Sequence, residues 1–274
     1  MISISTLYVS PKGKKLYLSK FFSDAGNDVI GCIRCKEDKP FEIPLKMAFQ
    51  PILDVNQGTV FAYEALVRGA NGESAGEVLG AVRQEEVYAF DQTCRVLAID
   101  TAKRLGMDCN LSINFLPNAV YEPAACIRLT LAAARKVDFA PEKIIFELTE
   151  SEKISQPDHA LRIIKDYQQR GFLTAIDDFG AGYSGLNLLA NFQPDIVKLD
   201  MALTRDVDHD AVRRAIVSGI IGTCKALNCT VIAEGVERPG ELDTLRKMGV
   251  HLFQGFLIAR PGLECLPEPD LTYV

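Results

Sequence analysis

The chain has 274 residues, is 48% hydrophobic and 24% charged, and carries a formal net charge of −6. That is ordinary composition for a globular protein, and the length suits one large α/β domain or two small ones. The acidic balance excludes a surface built as a whole for DNA or RNA, so an anionic ligand would have to be held by local cations. The opening Met1-Ile-Ser-Ile-Ser5 lacks the basic and apolar regions of a secretory signal. No apolar run reaches the ~18 residues of a membrane span. Eight cysteines in such a chain read as reduced thiols, so a cytoplasmic location is expected.

Residues 1–45 differ from the rest and are taken as an N-terminal extension. They hold a basic turn, Pro11-Lys-Gly-Lys-Lys15, a Cys32-Ile-Arg-Cys35 pair, and Pro40 and Pro44 in a charged linker. The cysteine pair is half a zinc site and would close a tetrahedron only if two chains shared it. The main domain is expected over residues 46–267, with 268–274 as a C-terminal tail.

From Ala48 onward strand and helix signals alternate. Ala48–Val55 predicts a strand, Asn56-Gln-Gly58 a tight turn, and Val60–Val67 a second strand. So short a connection forces an antiparallel hairpin, because a parallel crossover needs a dozen or more residues. Helices are predicted over 75–84 and 88–105, a strand over Leu111–Phe115, a helix over 123–136, a strand over Ile144–Leu148 and a helix over 157–170. Then come Leu173–Ile176 and a helix over 184–191, Ile196–Leu199 and a helix over 208–227, and Thr230–Ala233 and a helix over 239–248. The strand Leu252–Ile258 closes the series. The pattern predicts an α/β fold, a TIM-like (β/α)8 barrel with an antiparallel first strand.

In such barrels chemistry sits at the C-terminal ends of the strands. Read in order, those ends carry Glu64, Asn114, Glu147, the doublet Asp177-Asp178, Lys198, Glu234 and Gln254. Two adjacent acids repel unless a cation lies between them. Carboxylates with an amide oxygen are hard donors, suited to Mg²⁺ or Mn²⁺ rather than zinc. Asp178 leaves room for a second ion. Two such ions can clamp the attacking and leaving oxygens of a phosphodiester displacement. Lys198 and Arg68 could hold phosphate oxygens, and Glu234 could orient or deprotonate water. Taken singly, a strand-end acid such as Glu150 or Asp200 is as readily a helix cap or an ion-pair partner.

At these residues the chain resembles the EAL-domain family of cyclic di-GMP phosphodiesterases, from about Phe49 to Pro261. Phe49-Gln-Pro-Ile52, Glu64-Ala-Leu66, Asn114, Glu147-Leu-Thr-Glu150, Asp177-Asp-Phe-Gly180, Lys198-Leu-Asp200, Ala233-Glu-Gly-Val-Glu237 and Gln254-Gly255 stand in family order. The resemblance implies metal ligation by Glu64, Asn114, Glu147 and Asp177, with Asp178 on a second Mg²⁺ or Mn²⁺. It implies that Lys198 and Glu234 position the water and that Glu150 braces the loop after Asp178. Gln50, Leu66, Arg68 and Gln254 would contact substrate or water. Cyclic di-GMP would be cleaved to linear pGpG, two copies would pair through the barrel, and Ca²⁺ would permit binding but stop hydrolysis. Ala181 and Gly185 stand where the family usually has threonine and serine. The segment after Arg68 is shorter than is common, as in the EAL part of light-sensing BLUF proteins, although residues 1–45 are too few for a flavin domain.

Three other readings stay open on the residues alone. An enolase-type barrel also sets acids and a lysine around Mg²⁺, but the Asp177-Asp178 doublet and the antiparallel opening speak against it. A class I aldolase would need a neutral Lys198, which the surrounding acids oppose. A catalytically silent cyclic di-GMP receptor, or a protein-interaction module, would need no intact Lys198 and Glu234. Gly180-x-Gly182-x-x-Gly185 matches a dinucleotide fingerprint, but Asp177 and Asp178 would face the same pyrophosphate.

Overall fold

The computed structural model describes residues 41–120, 122–149, 157–182 and 185–274. Cys32, Cys35, Glu150 and Ser184 lie outside the described residues. The strands are β1 (Leu45–Asp54), β2 (Thr59–Gly69), β3 (Asn110–Asn114), β4 (Ile144–Thr149), β5 (Leu173–Phe179), β6 (Ile196–Leu199), β7 (Thr230–Ala233), β8 (Leu252–Phe253) and β9 (Gly262–Leu263). From β2 to β8 each strand lies parallel to the next. β1 runs antiparallel to both β2 and β8, and so closes a barrel of eight strands. β9 adds a short antiparallel pair on β1. The TIM-like barrel with its antiparallel first strand is therefore the observed fold.

Local chemistry accounts for the turns. At the β1–β2 hairpin the Asp54 carboxylate accepts the N–H groups of Asn56 (2.9 Å) and Gln57 (3.2 Å), and Gly58 takes the positive φ of 68° that the reversal needs. Helices Pro123–Val137 and Pro239–Lys247 start with proline in the first turn, where a missing N–H is harmless.

Two expected boundaries are corrected. The helix expected over 208–227 begins at Ala211, because the Asp210 carboxylate accepts from Val212 N and Arg213 N and caps it. A separate short helix, Met201–Thr204, precedes it, capped by Asp200. The strand expected over Leu252–Ile258 stops at Phe253. Beyond it the chain turns, with Ile258 N and Ala259 N both donating to the Gly255 carbonyl. Gly255 lies so close to the Val236 backbone that a Cβ there would overlap the Val236 carbonyl oxygen and nitrogen. Apolar Leu257 and Ile258 thus pack on the barrel without extending the strand.

Residues on the far side of positions 45 and 267 make contacts with the barrel. Phe41 is buried against Phe90, Val78 and Ala89. The Tyr63 hydroxyl donates to the Pro267 carbonyl (3.0 Å), and Asp270 N donates to Ile258 O (2.8 Å). Among the described residues no helix is long and apolar enough to cross a membrane.

The barrel interior is layered. A closed apolar layer contains Ile52, Ala62, Ile145, Ala175, Ile196, Ile232 and Leu252, from every strand of the barrel except β3. Side chains alternate along a strand, so the next inward-facing position is two residues on. On β2 that position is Glu64, on β4 Glu147, on β5 Asp177, on β6 Lys198, and just past β7 and β8 it is Glu234 and Gln254. On antiparallel β1 the step runs backwards, to Gln50. β3 contributes Ser112 and Asn114 on the same face. One apolar plug therefore carries one polar storey directly above it.

Candidate active site

Lys198 is the centre of that storey. Its side chain is fully buried, and its Nζ lies 2.8 Å from Glu234, 2.9 Å from Glu147, 2.9 Å from Asp177 and 3.5 Å from Glu64. Burial opposes the ammonium, but Asp177, Glu147 and Glu234 outweigh it and hold the lysine pKa well above its ordinary value. An ammonium held among four carboxylates is a poor Schiff-base nucleophile, which argues against the aldolase alternative.

The remaining polar groups knit this ring together. The Gln254 amide donates to Glu64 (2.7 Å) and to the Gln50 carbonyl oxygen (3.2 Å), and Gln50 in turn donates to Ala259 O (3.0 Å). The Asn114 amide donates to Glu64 (2.9 Å), which leaves its carbonyl oxygen as the donor it can offer a cation. Ser112, unremarked in the sequence, donates to Glu147 (2.5 Å). Its position two residues before Asn114 on the same strand face is the signal that could have found it.

Asp177 and Asp178 reach one site through a backbone irregularity. In a regular strand neighbouring side chains point to opposite faces. Here the β5–β6 register shifts between Ile176 and Phe179, and Asp178 adopts a left-handed φ of 53°. The bulge re-aims the second acid, so that oxygens of Asp177, Asp178 and Glu234 lie within 4.8 Å of one another. Oxygens of Glu64, Glu147 and Asp177 form a second group within the same limit. Asp177 belongs to both.

The charges do not balance. Four carboxylates meet one ammonium, and Asp178 adds a fifth acid at the rim. Burial, followed by Glu64 and Asp177 acting against Lys198, pushes the Glu147 carboxyl up to about 8. Burial and then Asp177 raise Glu234 well above the usual carboxylate range. Burial, Asp177 and Asp200 push Asp178 up to about 6. Asp177 is lowered instead: its burial is outweighed by Lys198. A buried acid set short of positive charge, built from hard oxygen donors, fits divalent cations of the Mg²⁺ or Mn²⁺ type. A third acidic group, Asp206, Asp208 and Glu241, is different in kind. Arg238 bridges all three at 2.8 to 2.9 Å and supplies the charge itself.

Two clefts meet at Asp178. One, of about 280 Å³, is lined by Leu66, Asn114, Asp177 and Asp178 with apolar walls that include Leu79, Phe90 and Leu116. The other, of about 270 Å³, is lined by Gln50, Glu64, Asp178, Glu234, Gln254 and Phe256, among others. Phe256 is 47% exposed, and the Arg260 guanidinium stands 4.1 Å over its ring. The strand expected through Ile258 gave Phe256 no separate signal, and the turn after Phe253 is what exposes it. Arg68 lines neither cleft: its guanidinium donates to the Val67 carbonyl beside it (2.7 Å). Of the expected site residues, Glu64, Asn114, Glu147, Asp177, Asp178, Lys198, Glu234, Gln50, Leu66 and Gln254 gather at this end of the barrel.

The EAL domain family matches residues 43–261. The chain belongs to the EAL domain family. It is 36% identical over 222 residues to the blue light- and temperature-regulated antirepressor BluF of Escherichia coli K12, covering 81% of this chain and 55% of BluF. It is 42% identical over 127 residues to the E. coli K12 cyclic di-GMP phosphodiesterase PdeR, covering 46% of this chain and 19% of PdeR. The chain thus spans about half of BluF and a smaller part of PdeR. Among solved structures it is similar to a standalone versatile EAL protein from Vibrio cholerae O395 in its c-di-GMP-bound form. There the TM-score is 0.83 and the identity 48%, covering 85% of this chain and 98% of that one. It is also similar to Klebsiella pneumoniae BlrP1 in a manganese/cy-diGMP complex at pH 6, with TM-score 0.78 and 34% identity over 92% of this chain and 67% of that one.

Proposed function

We propose that this chain is a divalent-metal-dependent phosphodiesterase that hydrolyses cyclic di-GMP to linear pGpG and so lowers the level of this second messenger. The observation that carries the proposal is the buried ring of four carboxylates around Lys198, one storey above the apolar plug of an EAL barrel. Similar proteins named as cyclic di-GMP phosphodiesterases, or solved with c-di-GMP, supply the substrate class.

Glu64, Asn114, Glu147 and Asp177 would hold one Mg²⁺ or Mn²⁺, and Asp178 would take part in holding a second. Bound there, such ions would offset the charge of the scissile phosphate and lower the pKa of water. The rest falls to the chain. Lys198, held as an ammonium against Glu234, Glu147, Asp177 and Glu64, would fix the placement of these carboxylates and, through Glu234, of the attacking water. Glu234, 2.8 Å from Lys198 and grouped with Asp177 and Asp178, would orient the attacking water and take its proton. Gln50 and Gln254 fix the Glu64 side of the second cleft and offer amide groups to substrate or water. The two clefts on either side of Asp178 suit a ligand with two bases flanking its phosphates, and exposed Phe256 offers one of them a stacking face. Leu66 lines the other cleft. Arg68 would reach substrate only by leaving the Val67 carbonyl. Glu150 is retained as a brace for the loop after Asp178 on family likeness alone. The homodimer and the cytoplasmic location rest on the same ground, and sedimentation and cell fractionation test them.

A second reading, a receptor that binds cyclic di-GMP without cleaving it, is favoured by the likeness to an antirepressor. The complete acid set and the protonated Lys198 favour the enzyme. Incubation with cyclic di-GMP in Mg²⁺ or Mn²⁺, followed by product chromatography, separates the two. The enzyme yields pGpG; binding without pGpG in either metal identifies the receptor. Ca²⁺, larger and more loosely coordinated, should support binding without turnover.

A further inference from the structure

Outside the acidic ring, with Asp91 bordering the first cleft, lies a second buried charge pair that the proposed chemistry does not use. Arg95 and Asp91 face each other one turn apart on helix Val87–Arg104, with Arg95 Nη2 2.8 Å from Asp91 Oδ2. Their side chains are 0% and 1% exposed. Such a pair usually stabilises a fold no better than apolar residues of similar volume would. Its surroundings point to another use.

Asp91 Oδ1 accepts the backbone N–H of Leu116 (3.0 Å), two residues beyond Asn114. The intervening Phe115 gives its N–H to the Glu147 carbonyl (3.1 Å). Arg95 stands over the rings of Phe115 (5.4 Å) and Phe146 (5.1 Å), the chain neighbours of Asn114 and Glu147. Its Nη1 donates to the hydroxyl of fully buried Tyr167 (2.9 Å), and the Gln92 amide donates to Asp91 (3.1 Å). Because strand side chains alternate, the residues that Arg95 touches point outward and their neighbours point into the site. Asn114 and Glu147 are themselves paired in register across β3 and β4.

We propose that Asp91 is a positioning residue: its side-chain oxygen accepts and fixes the Leu116 N–H, and with it the end of β3, so that Asn114 and Glu147 present their oxygens to one cation. The inference rests on the metal reading of the site given above. It assigns the buried pair to the placement of donor atoms, at one remove from the chemistry.

The test contrasts two double variants. Both carry Arg95→Met, so neither leaves a buried charge unpaired. One adds Asp91→Asn, which keeps an acceptor for Leu116 N–H; the other adds Asp91→Leu, which removes it. Mn²⁺ affinity is measured by calorimetry, and folding by thermal unfolding. The Asn variant should bind Mn²⁺ within about threefold of the unaltered protein, and the Leu variant about 10-fold or more weaker, the usual effect of losing a group that orients a metal ligand. Asp91→Ala with Arg95→Met, which also lacks the acceptor, serves where the Leu variant fails to fold, and should likewise weaken Mn²⁺ about 10-fold or more. A second readout needs no metal. The Asn114 side-chain amide, bonded to Glu64, should show slowed proton exchange by NMR in the Asn variant and faster exchange in the Leu or Ala variant. Equal Mn²⁺ affinity and equal exchange in all folded variants would overturn the proposal. If the unaltered protein bound no Mn²⁺, the metal reading would fall, while the amide exchange would still decide what Asp91 does.

Discussion

At the scale of single residues, Asp177 and Asp178 are chemically identical and positionally unequal. Asp177 is nearly buried, paired with Lys198 and shared by both acidic groups, whereas Asp178 stands half-buried at the junction of the clefts. Asp177→Ala should therefore abolish tight Mn²⁺ binding, while Asp178→Ala should keep much of it and still lose turnover. Calorimetry decides this, and equal loss of affinity in both variants would contradict a two-ion assignment. Glu234→Gln keeps shape and removes the charge that faces Lys198. A fall in kcat of about 10²-fold or more is expected, the usual range for a general base, with dinucleotide binding in Ca²⁺ little changed. A variant that keeps its turnover and loses affinity would make Glu234 a binding residue. These acids were legible in the sequence because each ends an apolar run. Ser112 and Asp91 were not: a lone serine, and an acid in the middle of a helix, carry no periodic signal until the neighbours of Asn114 and Glu147 are known in space.

At the scale of elements, the strand and helix order was legible from alternation and from turn residues such as Asn56-Gln-Gly58. The places where it was not are places where backbone contacts override side-chain pattern. The bulge at Asp178 leaves no mark in an Asp-Asp-Phe-Gly run, yet it is what lets adjacent acids share a site. β8 ends at Phe253 although apolar residues continue, because Gly255 passes against the Val236 backbone. Val236 N donates to Gln254 O and Leu257 N to Val236 O, so this contact also joins the segment carrying Glu234 to the one carrying Gln254. Gly255→Ala should push the two apart, destabilising the protein by about 1–3 kcal/mol, the usual penalty of overpacking, and lowering kcat as well. Thermal unfolding beside an activity assay checks this. A variant with unchanged stability and activity would show that the two segments move independently.

At the scale of the whole molecule, the barrel gathers five acids from four strand ends into a space where they cannot all ionise unaided. The consequence for stability has a definite sign. Glu147 and Asp178 have folded pKa values raised to about 8 and about 6, above their ordinary values of 4.5 and 3.8. A carboxyl raised by folding stabilises the fold below its unfolded pKa and loses that contribution as pH rises through its folded pKa. Lys198 is raised above 10.5 and Asp177 lowered below 3.8, so neither titrates in that window. The metal-free protein should therefore melt at progressively lower temperature between pH 5 and pH 8. Mn²⁺ should reverse this and protect more at pH 8 than at pH 5, since it competes with protons for the same oxygens. Calorimetric melts across that range, with chelator and with Mn²⁺, check the sign. A metal-free protein growing more stable toward pH 8 would contradict the charge surplus assigned to the site.

The most direct measurement of the central claim is mass spectrometry of the product formed from cyclic di-GMP in ¹⁸O-labelled water with Mn²⁺. The account predicts linear pGpG with a single labelled oxygen in its terminal phosphate, formed by the unaltered protein and not by Glu234→Gln on the same time scale. Unlabelled product, or cyclic di-GMP recovered intact from a protein shown to bind it, would contradict it.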